Sequence, residues 1–236
     1  MKRKNYLIKF SEILAKKIMI FIEQGKNRVF YKNKQISKIE YDLKKYYLKQ
    51  IRPYSSVNFY QSYPPLSIRG ARPTLSRYLI YDLEKHLGKD KTVLDIVGNT
   101  GFFSLFVSGK VKEIDVLEID KSFCNICKRL AKHEKINNVN VINEDFNHFN
   151  PLKKYDMIFS FAVHNHTKMQ FEDYMNKLFS MLNKNGIILI ESHPIGYRKE
   201  DKLKKSLEEL NNVEIIKEGK LDDDGRLRTF FYVKKK

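Results

Sequence analysis

From about residue 89 onward, short runs of apolar, largely β-branched residues alternate with longer stretches in which apolar positions recur every three to four residues. The runs KTVLDIV (91–97), EIDVLEI (113–119), VNVIN (139–143), YDMIFSF (155–161) and GIILIES (186–192) predict strands. The intervening stretches 101–108, 121–135 and 168–183 predict helices. Strand and helix in alternation imply parallel strands joined by right-handed crossovers, a doubly wound α/β sheet. The ending differs. After a helix at about 199–211, VEIIKEGKL and RLRTFFYVKKK are two strand-like runs separated by Asp222-Asp223-Asp224-Gly225, and Asp-Gly is a hairpin signal. The sheet is therefore expected to close with an antiparallel pair.

Residues 1–88 read differently and form an N-terminal helical extension to the domain at 89–236. Leu7, Phe10, Leu14, Ile18 and Phe21 recur at helical spacing with lysines opposite, which predicts a core-packing amphipathic helix over 5–24. A second helix is predicted over 37–50, then an irregular loop rich in proline and tyrosine that covers the substrate side, then a helix from Thr74 to His86 ended by Gly88. Lysines and Glu12 interrupt the apolar positions of the first helix, no small-residue cleavage site follows it, and no apolar run reaches the ~18 residues of a membrane span. A soluble, cytoplasmic protein is the expectation.

Composition adds two constraints. Cys124 and Cys127 are the only cysteines, too few for a disulfide scaffold or a four-cysteine zinc site, and inside a predicted helix they suit core packing. The formal net charge is +17, carried by 35 lysines and 10 arginines. That charge raises the local concentration of anionic partners such as RNA, nucleotides or phosphorylated sugars, and it says nothing about the fold.

The first strand of an open α/β sheet commonly delivers a ligand loop at its carboxyl end. Here the loop is Asp95-Ile96-Val97-Gly98-Asn99-Thr100-Gly101, whose glycines permit a sharp turn and close approach of a ligand. Glu118 ends the second strand, where a carboxylate can accept both hydroxyl protons of a ribose. The dinucleotide pattern G-x-G-x-x-G would need glycine at Ile96 and is not met. The segment TVLDIVGNTGFFSL instead resembles the first motif of the class I S-adenosylmethionine-dependent methyltransferases. LEIDKSF, INEDF, YDMIFSFAVH and LNKNGIILIESHP resemble that family's later motifs, in order, over about residues 70–236.

That resemblance implies a seven-stranded sheet of order 3-2-1-4-5-7-6 and the cofactor S-adenosylmethionine. It implies that Asp95 and the Gly98–Gly101 loop, Asn99 included, hold the methionine part, and that Glu118 holds the ribose. By the same likeness Ile119 covers one adenine face, Asp145 takes the amino edge, Phe146 covers the opposite side and Ser160 lines the methionine pocket. A Gly-x-Arg-Pro-Thr stretch similar to that of some bacterial members makes Arg72 the candidate partner for an anionic group, with Arg69 second. The family pattern would put glycine at 97, 99 and 101. Asn99 tolerates left-handed angles, and at Val97 the expected relief is a turn shifted onto Gly98.

Methyl transfer from a sulfonium needs alignment and exclusion of water more than a base, but a hydroxyl acceptor would gain from a histidine. His164 and His166 follow the fourth strand and His193 the fifth. His164 and His193 are the expected catalytic pair, with His166 farther along the loop. His-x-His with a distant histidine is no definite metal-ligand set, so no metal is assigned. The acceptor is expected to be a small or saccharide-like molecule. RNA held by the lysine surface is one alternative, and a non-catalytic scaffold on a degenerate methyltransferase fold is another.

Overall fold

The computed structural model describes residues 18, 39–43, 59–193, 202–222 and 227–236. Residue 18 and residues 39–43 are helical, but most of the two predicted N-terminal helices, Tyr54 and the Asp223–Gly225 turn lie outside the described residues.

Seven strands form one sheet: β3 (Thr92–Ile96), β4 (Glu113–Leu117), β5 (Val139–Ile142), β6 (Tyr155–Phe161), β7 (Leu182–Glu191), β8 (Val213–Asp222) and β9 (Leu227–Lys235). Their spatial order is β5-β4-β3-β6-β7-β9-β8, the order 3-2-1-4-5-7-6 expected from the resemblance. β3 pairs in parallel with β4 and β6, and β9 runs antiparallel to both β7 and β8. The crossover helices are α2 (Phe102–Val107), α3 (Lys121–His133), α5 (Phe171–Ser180) and α6 (Lys202–Glu208), with a single turn α4 (His164–Thr167) after β6. The central strands are apolar on both sides and therefore buried on both faces. Leu94, Ile158 and Ile188 pack with Tyr174 and Leu178 of α5, while Val93, Met157 and Leu189 pack with Phe103 of α2.

Two predicted boundaries move. The helix α1 (Thr74–Tyr81) ends five residues before the expected His86, because Asp82 takes left-handed angles (φ 61°) and caps it through its own N–H. β7 begins at Leu182 instead of 186, its first residues joining β6 through an irregularity between Tyr155 and Met157.

The segment read as irregular contains two short parallel strands, β1 (Phe59–Gln61) and β2 (Gly70–Arg72). Gly70 makes the pairing possible, since a Cβ there would lie 2.0 Å from the Gln61 carbonyl carbon. Tyr63 and Ile68 bridge the turn, and Thr74 fastens it by donating from its amide to Ser62 Oγ (2.9 Å) and from its hydroxyl to the Ser62 carbonyl (2.6 Å). This collar packs Phe59 and Tyr63 against Phe102 of α2.

Candidate active site

The carboxyl edge of β3 carries the glycine-bearing loop. Val97, Asn99 and Gly101 adopt φ of 56°, 55° and 70°, the positions where the resembled pattern has glycines. The expected shift onto Gly98 does not occur: Val97 takes the left-handed angles itself, which for a β-branched residue is a genuine outlier. Gly98 matters for a different reason. A Cβ there would meet Val116 Cγ1 at 2.5 Å and Asp95 Oδ2 at 3.0 Å, so the glycine lets the loop lie against β4. Gly101 likewise leaves room for Cys127, whose Sγ would be 2.2 Å from an added Cβ. Burial pushes the Cys127 and Cys124 thiols up, which keeps both protonated and inert, in line with a packing role.

Glu118 closes this end. Its Oε2 accepts from the Asn99 amide and its Oε1 from the Asp120 amide, both at 2.9 Å. Burial pushes the carboxyl up and these amides pull it back. Each oxygen retains a lone pair for a further donor. Ile119 beside it is 62% exposed, an apolar surface with no protein partner over most of its area. Asp95 is buried beneath the loop, where Oδ2 accepts from Ser104 Oγ at 2.5 Å. Burial first, and the Glu118 charge after it, raise its pKa to about 7 against the opposing effects of Ser104 and Arg77. The Thr100 hydroxyl is buried in the same loop without a hydrogen-bond partner.

Several expected contacts are reassigned. Phe146 is a core residue, tilted against Tyr174 with ring centroids 5.5 Å apart, so its ring is not an open adenine face. Ser160 is fully buried and its Oγ is 2.7 Å from Tyr174 Oη, which ties it to α5 instead of leaving it open to a ligand. Asp145 stays at the edge, half-buried, with Oδ1 accepting from the Asn147 amide at 2.8 Å. Arg72 is buried in the collar with its guanidinium over the Tyr60 ring. Gln61, which the sequence reading passed over, takes a positioning role: its Oε1 accepts from the Phe103 amide in the first turn of α2 (3.2 Å). No local sequence signal marks Gln61, because its partner lies 42 residues away.

The ends of β6 and β7 carry a second constellation. Glu191, the last residue of β7, accepts hydrogen bonds from Arg77 and Tyr81 of α1 and, at 2.8 Å, from Arg228 of β9. Burial raises the Glu191 carboxyl, but Arg77 and Arg228 more than offset it and hold it below the usual carboxylate range. His193 follows two residues later. The expected pairing with His164 is not formed: the ring beside His193 is that of His166, with centroids 5.4 Å apart. His164 points elsewhere, its Nε2 bonded to the Met169 carbonyl at 3.0 Å and its ring packed on Phe171 and Tyr174. The reason is helical geometry, since residues two apart on α4 project to opposite sides and only one can face β7.

Residues 87–230 match the family model described as a methyltransferase domain. The chain belongs to this methyltransferase-domain family, among the class I S-adenosylmethionine-dependent methyltransferases. It is 32% identical over 128 residues to malonyl-[acyl-carrier protein] O-methyltransferase 1 of Ilyobacter polytropus, a match covering 52% of this chain and 45% of that one. The chain thus spans about half the length of the curated relative it matches. Among solved structures, the bifunctional kinase-methyltransferase WbdD superposes with a TM-score of 0.62 at 18% identity, over 81% of this chain and 46% of WbdD. An S-adenosylmethionine-dependent methyltransferase of Clostridium acetobutylicum superposes with a TM-score of 0.54 at 12% identity, over 68% of this chain and 90% of that one. At such identities these likenesses concern the fold.

Proposed function

We propose that the protein binds S-adenosylmethionine at the β3–β4 edge and methylates a small or saccharide-like acceptor at the β6–β7 edge. The observation that carries the reading is Glu118, a buried carboxylate oriented by the Asn99 and Asp120 amides next to a loop with left-handed turns at 97, 99 and 101. Its remaining lone pairs suit a ribose diol, Ile119 suits an adenine face, and Asp95 suits the cationic methionine end. When bound, the cofactor would supply an electrophilic methyl group.

The residues of the chain do the rest. The collar braces the start of α2 through Gln61. His193 is neutral near pH 7, because burial and then the charges of His166 and Arg228 lower its pKa, and a neutral imidazole can accept a hydroxyl proton. The acceptor groups are buried or half-buried, which favours a small molecule over a nucleic-acid backbone. Two buried, unoxidised cysteines suit a reducing compartment, and we assign the reaction to the cytoplasm. Among the described residues, no helix is long and apolar enough to cross a membrane.

Glu118→Ala is expected to weaken S-adenosylmethionine binding about ten- to a hundredfold, as for a lost pair of charge-assisted hydrogen bonds. Calorimetry giving equal affinities would remove the assignment, and absence of binding in both proteins would favour a scaffold. Screening with methyl-labelled cofactor should label small hydroxyl compounds. Label found only in bulk RNA would shift the reading to an RNA methyltransferase.

A further inference from the structure

We propose that His166 and His193 form a proton-relay pair in which His193 Nε2 takes the acceptor proton and His166 delivers it to solvent. The proposal rests on the assignment of the β6–β7 edge to the acceptor. His193 sits on a fixed backbone. Ser192 ahead of it donates from its amide to the Thr229 carbonyl (2.9 Å) and accepts at Oγ from the Thr229 amide (3.0 Å), while Glu191 is clamped by two arginines. Its ring is half-buried, and Nε2 is buried without a hydrogen-bond partner among the described residues. A buried polar nitrogen left unpaired is costly, and such atoms persist where a function uses them.

His166 supplies the other half. It lies on the exposed side of α4, its amide bonded to the Val163 carbonyl at 2.8 Å. The turn that delivers it there begins at Ala162, which is buried yet left-handed (φ 56°). Non-glycine residues held in that region tend to mark functional turns. Ring centroids 5.4 Å apart set the two imidazoles side by side, a separation that a bridging water can span. The pair therefore joins a buried nitrogen to bulk solvent.

The proton balance is direct. The acceptor X–H bond breaks with its electron pair left on X, Nε2 gains the proton, and the imidazolium releases its other proton, from Nδ1, toward His166 and then to water. Among the described residues, the charged and titratable groups around His193 are His164 and His166 of α4, Arg228 of β9 and Glu191 of β7. Glu191 alone favours the cation, and burial with the three positive or titrating neighbours opposes it, so the imidazolium is disposed to give up its proton. That is what a relay needs and what a storage site would not have.

The test is ¹⁵N-histidine NMR on the full chain without acceptor, following the His193 titration midpoint and solvent exchange of its ring N–H. In the wild type the midpoint is expected below the ordinary histidine value. His166→Gln should raise it, since a titrating neighbour that disfavours the His193 imidazolium is removed, and should slow ring N–H exchange several-fold. His166→Lys keeps a charge but cannot relay, so it should leave the midpoint low and still slow the exchange. Equal exchange in all three proteins overturns the relay, as does a midpoint unmoved by His166→Gln. S-adenosylmethionine affinity, measured by calorimetry on the same samples, should not change among them. A wild-type protein that fails to bind the cofactor would sink the proposed function separately, leaving the exchange result to stand or fall alone.

Discussion

The two ends of the crevice are built by different means. At the β3–β4 end the ligand-facing groups are placed by backbone, with Glu118 held by two amides and the loop shaped by three consecutive-but-one left-handed residues. At the β6–β7 end they are placed by side chains drawn from α1, α4, β7 and β9, with Glu191 gripped by Arg77, Tyr81 and Arg228. A backbone-built site tolerates exchange of exposed side chains and fails when the chain path is blocked. A side-chain-built site fails when one charged partner is removed. On the proposed assignment, the β3–β4 end serves chemistry shared across a family while the β6–β7 end must differ between members, and a scaffold of exchangeable side chains suits that division.

The largest effect is expected from Glu191→Ala, which leaves two buried guanidinium groups without their shared carboxylate. Removing one partner of a buried ionic cluster costs about 3–5 kcal/mol, to be read from urea unfolding at pH 7. The pH dependence gives a second check. Because the folded-state pKa of Glu191 is depressed, its contribution is present above the ordinary carboxylate pKa and disappears as pH falls through the folded value. The stability gap between wild type and variant should therefore narrow in acid. A gap under about 1 kcal/mol at pH 7 would mean the cluster is no clamp.

Gly98→Val attacks the other end by blocking its path, since the first atom of the new side chain would lie 2.5 Å from Val116 Cγ1. Overpacking of this kind costs about 1–3 kcal/mol, and because the loop itself must move, S-adenosylmethionine affinity should fall by about a hundredfold or more. Binding calorimetry and thermal melts on one sample separate the two consequences. Intact binding would show that the loop does not depend on lying against β4.

The contrast also explains what the sequence disclosed. The strands, the antiparallel ending and the position of Glu118 at the end of β4 were legible because each is local: alternation fixes strands, Asp-Gly marks a reversal, and a carboxylate at a strand end has a calculable position, whereas the sheet order came from the family resemblance. The β1–β2 collar was missed because its signal is Gly70 pairing back to Phe59 across two prolines, a contact between segments and not a pattern within one. The ring contact of His193 was not legible because strand counting put His164 nearest the crevice, while the one-turn helix α4 brings His166 beside His193. Arg77 and Arg228 were invisible as partners because 151 residues of chain separate them and only the folded sheet edge brings both to Glu191.

A smaller effect distinguishes the charge state of the cofactor end. Burial lifts the Asp95 carboxyl to about 7, so protonation near neutral pH competes with a cationic ligand. A cationic ligand favours its ionised form, and binding should release a proton. Between pH 8 and pH 6 the affinity for S-adenosylmethionine should drop about tenfold, following one group titrating near the middle of that window. Asp95→Asn should flatten the profile, and a flat wild-type profile would place Asp95 outside the electrostatic reach of the cofactor. The sign for stability is opposite. A raised carboxylate pKa means the folded state binds the proton more tightly than the unfolded chain, so this group's contribution weakens as pH rises through about 7.

The smallest effect tests whether the cofactor end is shaped by backbone alone. Val97 is left-handed and about one-third exposed, so its side chain loses little by deletion while its Cβ carries a steric cost of about 1–2 kcal/mol. Glycine removes that cost and adds about 0.4–1 kcal/mol of unfolded-state entropy. Val97→Gly should accordingly stabilise the protein by roughly 0.5–1 kcal/mol in urea unfolding, with S-adenosylmethionine affinity equal or higher, since the wild-type turn already follows the path a glycine would take. Ala162→Gly makes the same change at the acceptor end, where φ is also 56° but the residue is buried and not β-branched. Its gain should be smaller, because less strain is relieved and a buried methyl is lost. If Val97→Gly instead destabilises the fold or weakens cofactor binding, then Val97 contributes through its side chain, and the β3–β4 edge is not the backbone-built site that distinguishes it from the β6–β7 edge.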